Sequence, residues 1–172
     1  MSKETLKIVK NYLQSYSIET TPNVYTKYGS FSDFLDKSHD VYITYLPDEN
    51  SSNVINTAKK LKAEGYEVLP HLPARSILNE NELEKYVGEL ANVSGCSKIL
   101  IIGGGGSQAG NISSTMDVLK SDLLSKFNYN FVGVAGHPEG SPDISNQNLD
   151  LAINEKNNFA KNVDFQMYIA TQ

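Results

Sequence analysis

One cysteine, no long apolar stretch and fewer basic than acidic side chains set the outer limits on this chain of 172 residues. Cys96, being alone, cannot close an intramolecular disulfide or supply a thiolate metal cluster. No uninterrupted apolar run exceeds that of residues 99–102, against the ~20 residues a spanning helix needs, so a membrane is not an expected partner. The first residues, Met-Ser-Lys-Glu-Thr-Leu-Lys, lack the apolar core and small-residue cleavage site of a signal peptide, and a cytoplasmic address is expected. With 15 basic against 20 acidic side chains the formal charge is −5. Such a balance lacks the basic stripe that tracks phosphates, so the expected partner is a small molecule and not a nucleic acid. No His/Cys/carboxylate cluster has metal-ligand spacing, no G-x-S-x-G elbow is present, and no low-complexity linker divides the chain. A single domain over residues 1–172 is expected.

Short β-rich runs alternate with helical patterns. Strands are expected at residues 16–19, 41–45, 67–71, 98–103, 131–136 and 165–171, with ends near Glu19, Tyr45, His71, Gly103, Gly136 and Gln172. The intervals between those ends, 26, 26, 32, 33 and 36 residues, match the roughly 30 residues of a βαβ unit, so successive strands should lie parallel. Leu83, Tyr86, Val87 and Leu90 form one helical stripe, with Asn79 and Glu82 as its expected cap. Val54, Ala58 and Leu61 form another, which Gly65 should stop. Met116, Leu119 and Leu123 repeat the pattern, and Leu6, Val9 and Leu13 mark an amphipathic helix able to plug one end of a sheet or barrel. Tyr12 and Tyr16 should pack where that helix meets the first strand. Cys96 reads as structural, and His39 as solvated. Two architectures satisfy this order: a doubly wound sheet of six strands, or a (β/α)8 barrel cut short of its usual ~250 residues.

In parallel α/β folds ligands gather at the C-terminal ends of strands. There this chain carries Glu19, Thr44 with Tyr45, His71, the glycines 103–106, His137 with Glu139, and Thr171 with Gln172. The glycine run and its sequel, Gly104-Gly105-Gly106-Ser107-Gln108-Ala109, fits G-x-G-x-x-A. It lies in the fourth βα turn and is followed by Gly110-Asn111-Ile112, so a phosphate-approach or substrate loop is expected in preference to a dinucleotide fingerprint.

The loop Gly133-Val134-Ala135-Gly136-His137-Pro138-Glu139-Gly140-Ser141-Pro142-Asp143 resembles the fifth-strand loop of the methylenetetrahydrofolate reductase family. Ser17-Ile18-Glu19-Thr20-Thr21-Pro22, Tyr42-Ile43-Thr44-Tyr45, Pro70-His71-Leu72 and Ala170-Thr171-Gln172 are similar to that family's first, second, third and sixth strand ends, in order and at compatible spacing. The resemblance implies a partial (β/α)8 TIM barrel with six parallel strands and strands seven and eight missing. It implies FAD across the strand ends, NAD(P)H as electron donor, and reduction of 5,10-methylenetetrahydrofolate to 5-methyltetrahydrofolate.

Under that resemblance Glu19 is the catalytic acid and a substrate contact, buried enough to hold its proton near working pH. Gln172 holds the folate-type substrate. Thr44, His71, Ala135, His137 and Asp150 match flavin contacts, and Tyr45, Gly103, Gly104, Gly105 and Gly136 complete the cofactor set. Lys156 aligns with a flavin-phosphate lysine. Three departures stand out: Gly103-Gly104-Gly105 replaces the family's Arg-Gly-Asp, His137 its Tyr, and Ser141 its His. The lost carboxylate changes the flavin's electrostatics and pterin anchoring, which opens an alternative: a noncatalytic folate- or nucleotide-binding module. Ending at Gln172 leaves two parallel edges unpaired, so a truncated product is expected, or a barrel completed by a partner chain; separately, a homo-oligomer is an open option. The choice of NADH or NADPH is open as well.

Overall fold

The computed structural model describes residues 2–14, 16–142 and 144–171. Its elements run α1 (Lys3–Tyr12), β1 (Ile18–Thr20), α2 (Pro22–Tyr28), β2 (Asp40–Ile43), α3 (Ser51–Glu64), β3 (Glu67–Pro73), a 3-10 turn (Ala74–Ser76), α4 (Glu80–Asn92), β4 (Lys98–Ile102), α5 (Thr115–Leu119), α6 (Leu123–Lys126), β5 (Phe131–Gly136), α7 (Asn146–Ala160) and β6 (Gln166–Thr171). The six strands form one sheet in the order β1-β2-β3-β4-β5-β6, and every neighbouring pair is parallel. Sequential order excludes a doubly wound sheet, whose strand order reverses at a switch point.

Local chemistry explains the element ends. The Asn50 side chain accepts the Ser52 N–H at the start of α3, and Gly65 stops that helix in the left-handed conformation at φ 95°. At α4 the Asn79 side chain accepts the Glu82 N–H at 3.0 Å. Glu82 reaches back as expected of a capping partner, but its carboxylate takes the N–H of Leu78, one residue earlier, at 2.7 Å. The stripe of Met116, Leu119 and Leu123 spans two short helices instead of one, because Asp122 adopts φ 58° between them. Thr21 caps α2, and Pro22 sits at its first turn, where no N–H is needed.

Strand alternation sorts side chains onto two faces. Val41, Ile43, Val68, Leu72, Ile99, Ile101, Val132 and Val134 join Val54, Ala58, Leu61, Leu83, Val87 and Leu90 in the core between sheet and helices. Full burial of each Val, Leu or Ile among them contributes about 1.5–3 kcal/mol. Three buried tyrosines there end on backbone carbonyls, Tyr66 on Leu35, Tyr86 on His71 and Tyr129 on Val87, and Tyr25 ends on the Glu64 carboxylate. Each tyrosine thereby buries its ring without orphaning its hydroxyl.

The opposite face carries Glu19, Tyr42, Leu69, His71, Lys98, Leu100, Phe131, Gly133 and Tyr168, and it is curled inward. Tyr42 on β2 and Tyr168 on β6 place their hydroxyl oxygens 2.7 Å apart, although β2 and β6 are four strand spacings apart. In a flat sheet four spacings measure about 19 Å, too far for two side chains standing off one face to meet. Tyr168 stacks on Phe131 with ring centroids 4.5 Å apart. Gly133 makes room for it, since a Cβ there would lie 2.5 Å from the Tyr168 ring and hydroxyl. At the N-terminal end of the same face Lys98 reaches Asp40 at 3.3 Å and Glu67 at 3.7 Å, tying β4 to β2 and β3.

Two expectations change. The helix expected before β1 forms, but Leu6, Val9 and Leu13 are exposed at 41%, 39% and 60%. It therefore plugs neither end of the sheet. His39 is buried, not solvated: its ring stacks on Tyr16 at 3.8 Å, and its Nδ1 lies 2.8 Å from the Tyr16 carbonyl. That stack bears out the packing expected of Tyr16; the Tyr12 side chain lies outside the described part. No helix among the described residues is long and apolar enough to cross a membrane.

Cys96 is buried in the turn before β4, and burial pushes its thiol up to about 12. Native protein at pH 8 should leave a thiol-exchange reagent unreacted over minutes, with one equivalent released on adding denaturant. Gly110 lies against Leu78, where a Cβ would sit 1.7 Å from the carbonyl oxygen. Gly110→Ala should therefore destabilise the fold by about 1–3 kcal/mol in urea titration.

Candidate functional site

Because all six strands are parallel, their C-terminal ends open at one end of the sheet. Glu19 and Tyr42 are register partners on β1 and β2. Just past β2 the Thr44 N–H continues the ladder to the Thr20 carbonyl at 2.8 Å, and the Thr44 hydroxyl donates to Glu19 Oε1. Glu19, Thr44 and Tyr42 thus form one polar strip on the inner face of β1 and β2. Glu19 is exposed, which corrects the expectation of a buried acid. It lies on an edge strand that pairs only with β2, so no second neighbour screens it from water among the described residues.

His71 occupies the next strand. Its side chain is 6% exposed, and neither Nδ1 nor Nε2 has a hydrogen-bond partner. The Tyr42 ring meets it edge-on, with centroids 6.1 Å apart, while the Tyr86 hydroxyl fixes the His71 carbonyl from the helix side at 2.9 Å. Burial lowers the pKa of the imidazole, and the Glu19 carboxylate opposes that shift. A buried ring with two unsatisfied nitrogens costs about 1–3 kcal/mol per orphaned group. The fold holds a neutral imidazole, able to donate through one nitrogen and accept through the other, beside a carboxylate.

A second group gathers at β5 and α7. Ala135, Gly136, His137, Asp150 and Lys156 line one cavity of about 360 Å³ together with Leu149, Ile153 and Ile169. An adjoining cavity of about 410 Å³ shares His137 and Asp150. Lys156 Nζ donates to the Ala135 carbonyl at 2.8 Å, and burial lowers its pKa. His137 and Asp150 are exposed. The loop turns through a Gly140 N–H to His137 carbonyl bond of 3.1 Å, with Gly140 at φ 85°, a conformation open to glycine.

The glycine loop lies between these groups in sequence. Gly103 accepts from the Arg75 N–H at 3.0 Å, Ala109 donates to the Arg75 carbonyl at 2.8 Å, and Asn111 donates to the Leu78 carbonyl at 3.1 Å. Gly104 combines φ 91° with close packing on Pro73. By contrast, a Cβ on Gly103, Gly105 or Gly106 would meet nothing within 4 Å, so the fold does not require glycine there. These positions leave bare backbone approachable. The loop opens no helix directly; the next begins at Thr115 behind a Ser114–Asp117 capping box.

Of the residues singled out in the sequence, the structure brings Glu19, Thr44 and His71 together, and separately Ala135, Gly136, His137, Asp150 and Lys156. Tyr45 belongs to neither group. Its ring packs on Tyr86 at 5.5 Å in the helix layer, because it is one residue out of phase with Thr44. Gln172 lies outside the described residues. The Tyr42–Tyr168 pairing went unnoticed in the sequence, although the even spacing of Tyr42 from Thr44 puts those two residues on one strand face.

Loss of the buried neutral imidazole has a pH signature. An unfolded histidine titrates near 6.5, whereas folded His71 resists protonation. Its contribution is complete above about pH 6.5 and is lost as pH falls from there through its lowered folded value. Urea unfolding at pH 7.5 and 5.5 should show a larger loss of stability on acidification for the wild type than for His71→Gln. Comparison with protein-family models finds none that matches this chain.

Proposed function

We propose that this chain is part of a (β/α)8-type barrel and works as a flavin-dependent oxidoreductase of one-carbon folate chemistry. In this reading it reduces 5,10-methylenetetrahydrofolate to 5-methyltetrahydrofolate with NAD(P)H as electron donor. The observation that carries the reading is His71. An imidazole buried to this degree, with both nitrogens unpaired and the Glu19 carboxylate near it, suits a polar planar ligand better than it suits a core.

The residues fit a flavin. His71 and Thr44 offer polar contacts on one side of the mouth, the bare backbone at Gly103 and Gly105 permits close approach, and the Ala135–Lys156 cavity offers a cation to a phosphate. When bound, FAD supplies hydride acceptance from reduced nicotinamide and hydride delivery to the folate. The chain's own part is binding, orientation and proton supply. Glu19, oriented through Oε1 by the Thr44 hydroxyl, is the proton donor to the folate nitrogen released as the methylene bridge opens. Gln172 is assigned to the folate.

A second reading is a noncatalytic folate- or nucleotide-binding module. One observation favours it: the stretch after β4 is Gly103-Gly104-Gly105, so no carboxylate is available from that loop to anchor a pterin.

Full-length protein should purify yellow, or turn yellow on titration with FAD, and bleach anaerobically on addition of NADH or NADPH. Glu19→Gln should lower turnover with 5,10-methylenetetrahydrofolate by about 10²–10⁴-fold. A colourless protein that takes up no FAD would sink the oxidoreductase reading, and folate binding without flavin would establish the second one.

A further inference from the structure

The Tyr42–Tyr168 hydroxyl contact borders the residues assigned to the ligand. Tyr42 is the register partner of Glu19 and meets the His71 ring edge-on. Tyr168 is the register partner of Gly133, two residues before Ala135. The pair therefore crosses the concave face with Tyr42 level with Glu19 and one side-chain step below Thr44, and with Tyr168 one step below the level of Ala135. Neither tyrosine is sealed in; both are only partly buried.

We propose that this hydroxyl pair is the polar floor of the ligand site, with Tyr42 as a specificity-determining contact to the inner edge of the bound ring. This rests on the reading of the mouth as a flavin and folate site. Two hydroxyls sharing one hydrogen bond leave one O–H hydrogen unused. Either hydroxyl can donate in that bond, and Tyr42, which borders Glu19 and the His71 ring, is the one placed to turn the free hydrogen toward a ligand. The Tyr42 hydroxyl is held in place by Tyr168, which stacks on Phe131 over Gly133. A floor that donates selects rings presenting an acceptor, a carbonyl oxygen or an unprotonated ring nitrogen, at their deepest edge. A ring with only C–H or N–H at that edge would leave the Tyr42 hydrogen unsatisfied.

The test is titration of full-length wild type, Tyr42→Phe and Tyr168→Phe with FAD and, separately, with folic acid. Binding is read by visible absorbance and by tyrosine emission, which no tryptophan masks in this chain. Tyr42→Phe should weaken binding of the probe that occupies the mouth about three- to tenfold, while Tyr168→Phe, which keeps the Tyr42 hydroxyl, should weaken it less. The tyrosine Raman doublet of the wild type, which reports phenol hydrogen bonding, should shift on adding that probe, and this reading needs no variant to fold. Equal affinities in all three proteins with an unshifted doublet would overturn the floor while leaving the flavin and folate reading intact. Uptake of neither probe by the wild type would overturn both.

Discussion

The contact between the Tyr42 and Tyr168 hydroxyls is the constraint on which the remaining geometry depends. It joins the second strand to the sixth across a face that would hold them apart if the sheet were flat. Curling takes the ends of β1, β2 and β3, with Glu19, Thr44 and His71, and turns them toward the end of β5 with Ala135. The curl has identifiable supports. Gly133 yields the volume Tyr168 needs, Phe131 stacks beneath it, and Lys98 draws Asp40 and Glu67 together at the other end of the face.

The two faces of the sheet are built on opposite principles. Toward the helices the strands present Val, Ile and Leu, and Tyr66, Tyr86 and Tyr129 buried there end on carbonyl oxygens. Toward the concave side the same strands place a carboxylate, hydroxyls and an imidazole whose nitrogens have no partner. A stable core has no use for an orphaned buried imidazole. Local violation of polar satisfaction, inside a fold that otherwise obeys it, is characteristic of sites that await a ligand. The glycines at 103, 105 and 106 belong with His71 in this respect, since neither φ nor neighbouring atoms demand glycine at those positions.

Much of the fold was legible in the sequence because the physics that sets it is local and periodic. Runs of β-branched residues at βαβ spacing marked six strands within a few residues of their observed bounds, and Asn79, Gly65 and the stripe through Leu83 marked helices through capping and 3.6-residue repetition. The convergence of Glu19, Thr44 and His71 was legible as well, because parallel strands deliver their ends to one side. Depth and orientation were not. Glu19 was expected to be buried, yet its place on an edge strand leaves it exposed. Tyr45 was grouped with Thr44 although adjacent strand residues face opposite ways. His39 was read as solvated because nothing in its own neighbourhood announces the Tyr16 ring, 23 positions away, that covers it. The tyrosine pair escaped notice for the same reason: a contact between residues 126 positions apart leaves no local trace.

The curl itself is open to direct measurement. In a chain carrying isotopically labelled tyrosine, nuclear Overhauser spectra should show cross-peaks between the ring protons of Tyr42 and Tyr168, assigned by their loss in Tyr168→Phe. Observation of those cross-peaks is what a concave sheet with hydroxyl oxygens 2.7 Å apart requires. Their absence from folded protein, with the neighbouring Phe131–Tyr168 cross-peaks intact, would mean that β2 and β6 stand apart and that the strand ends share no common mouth.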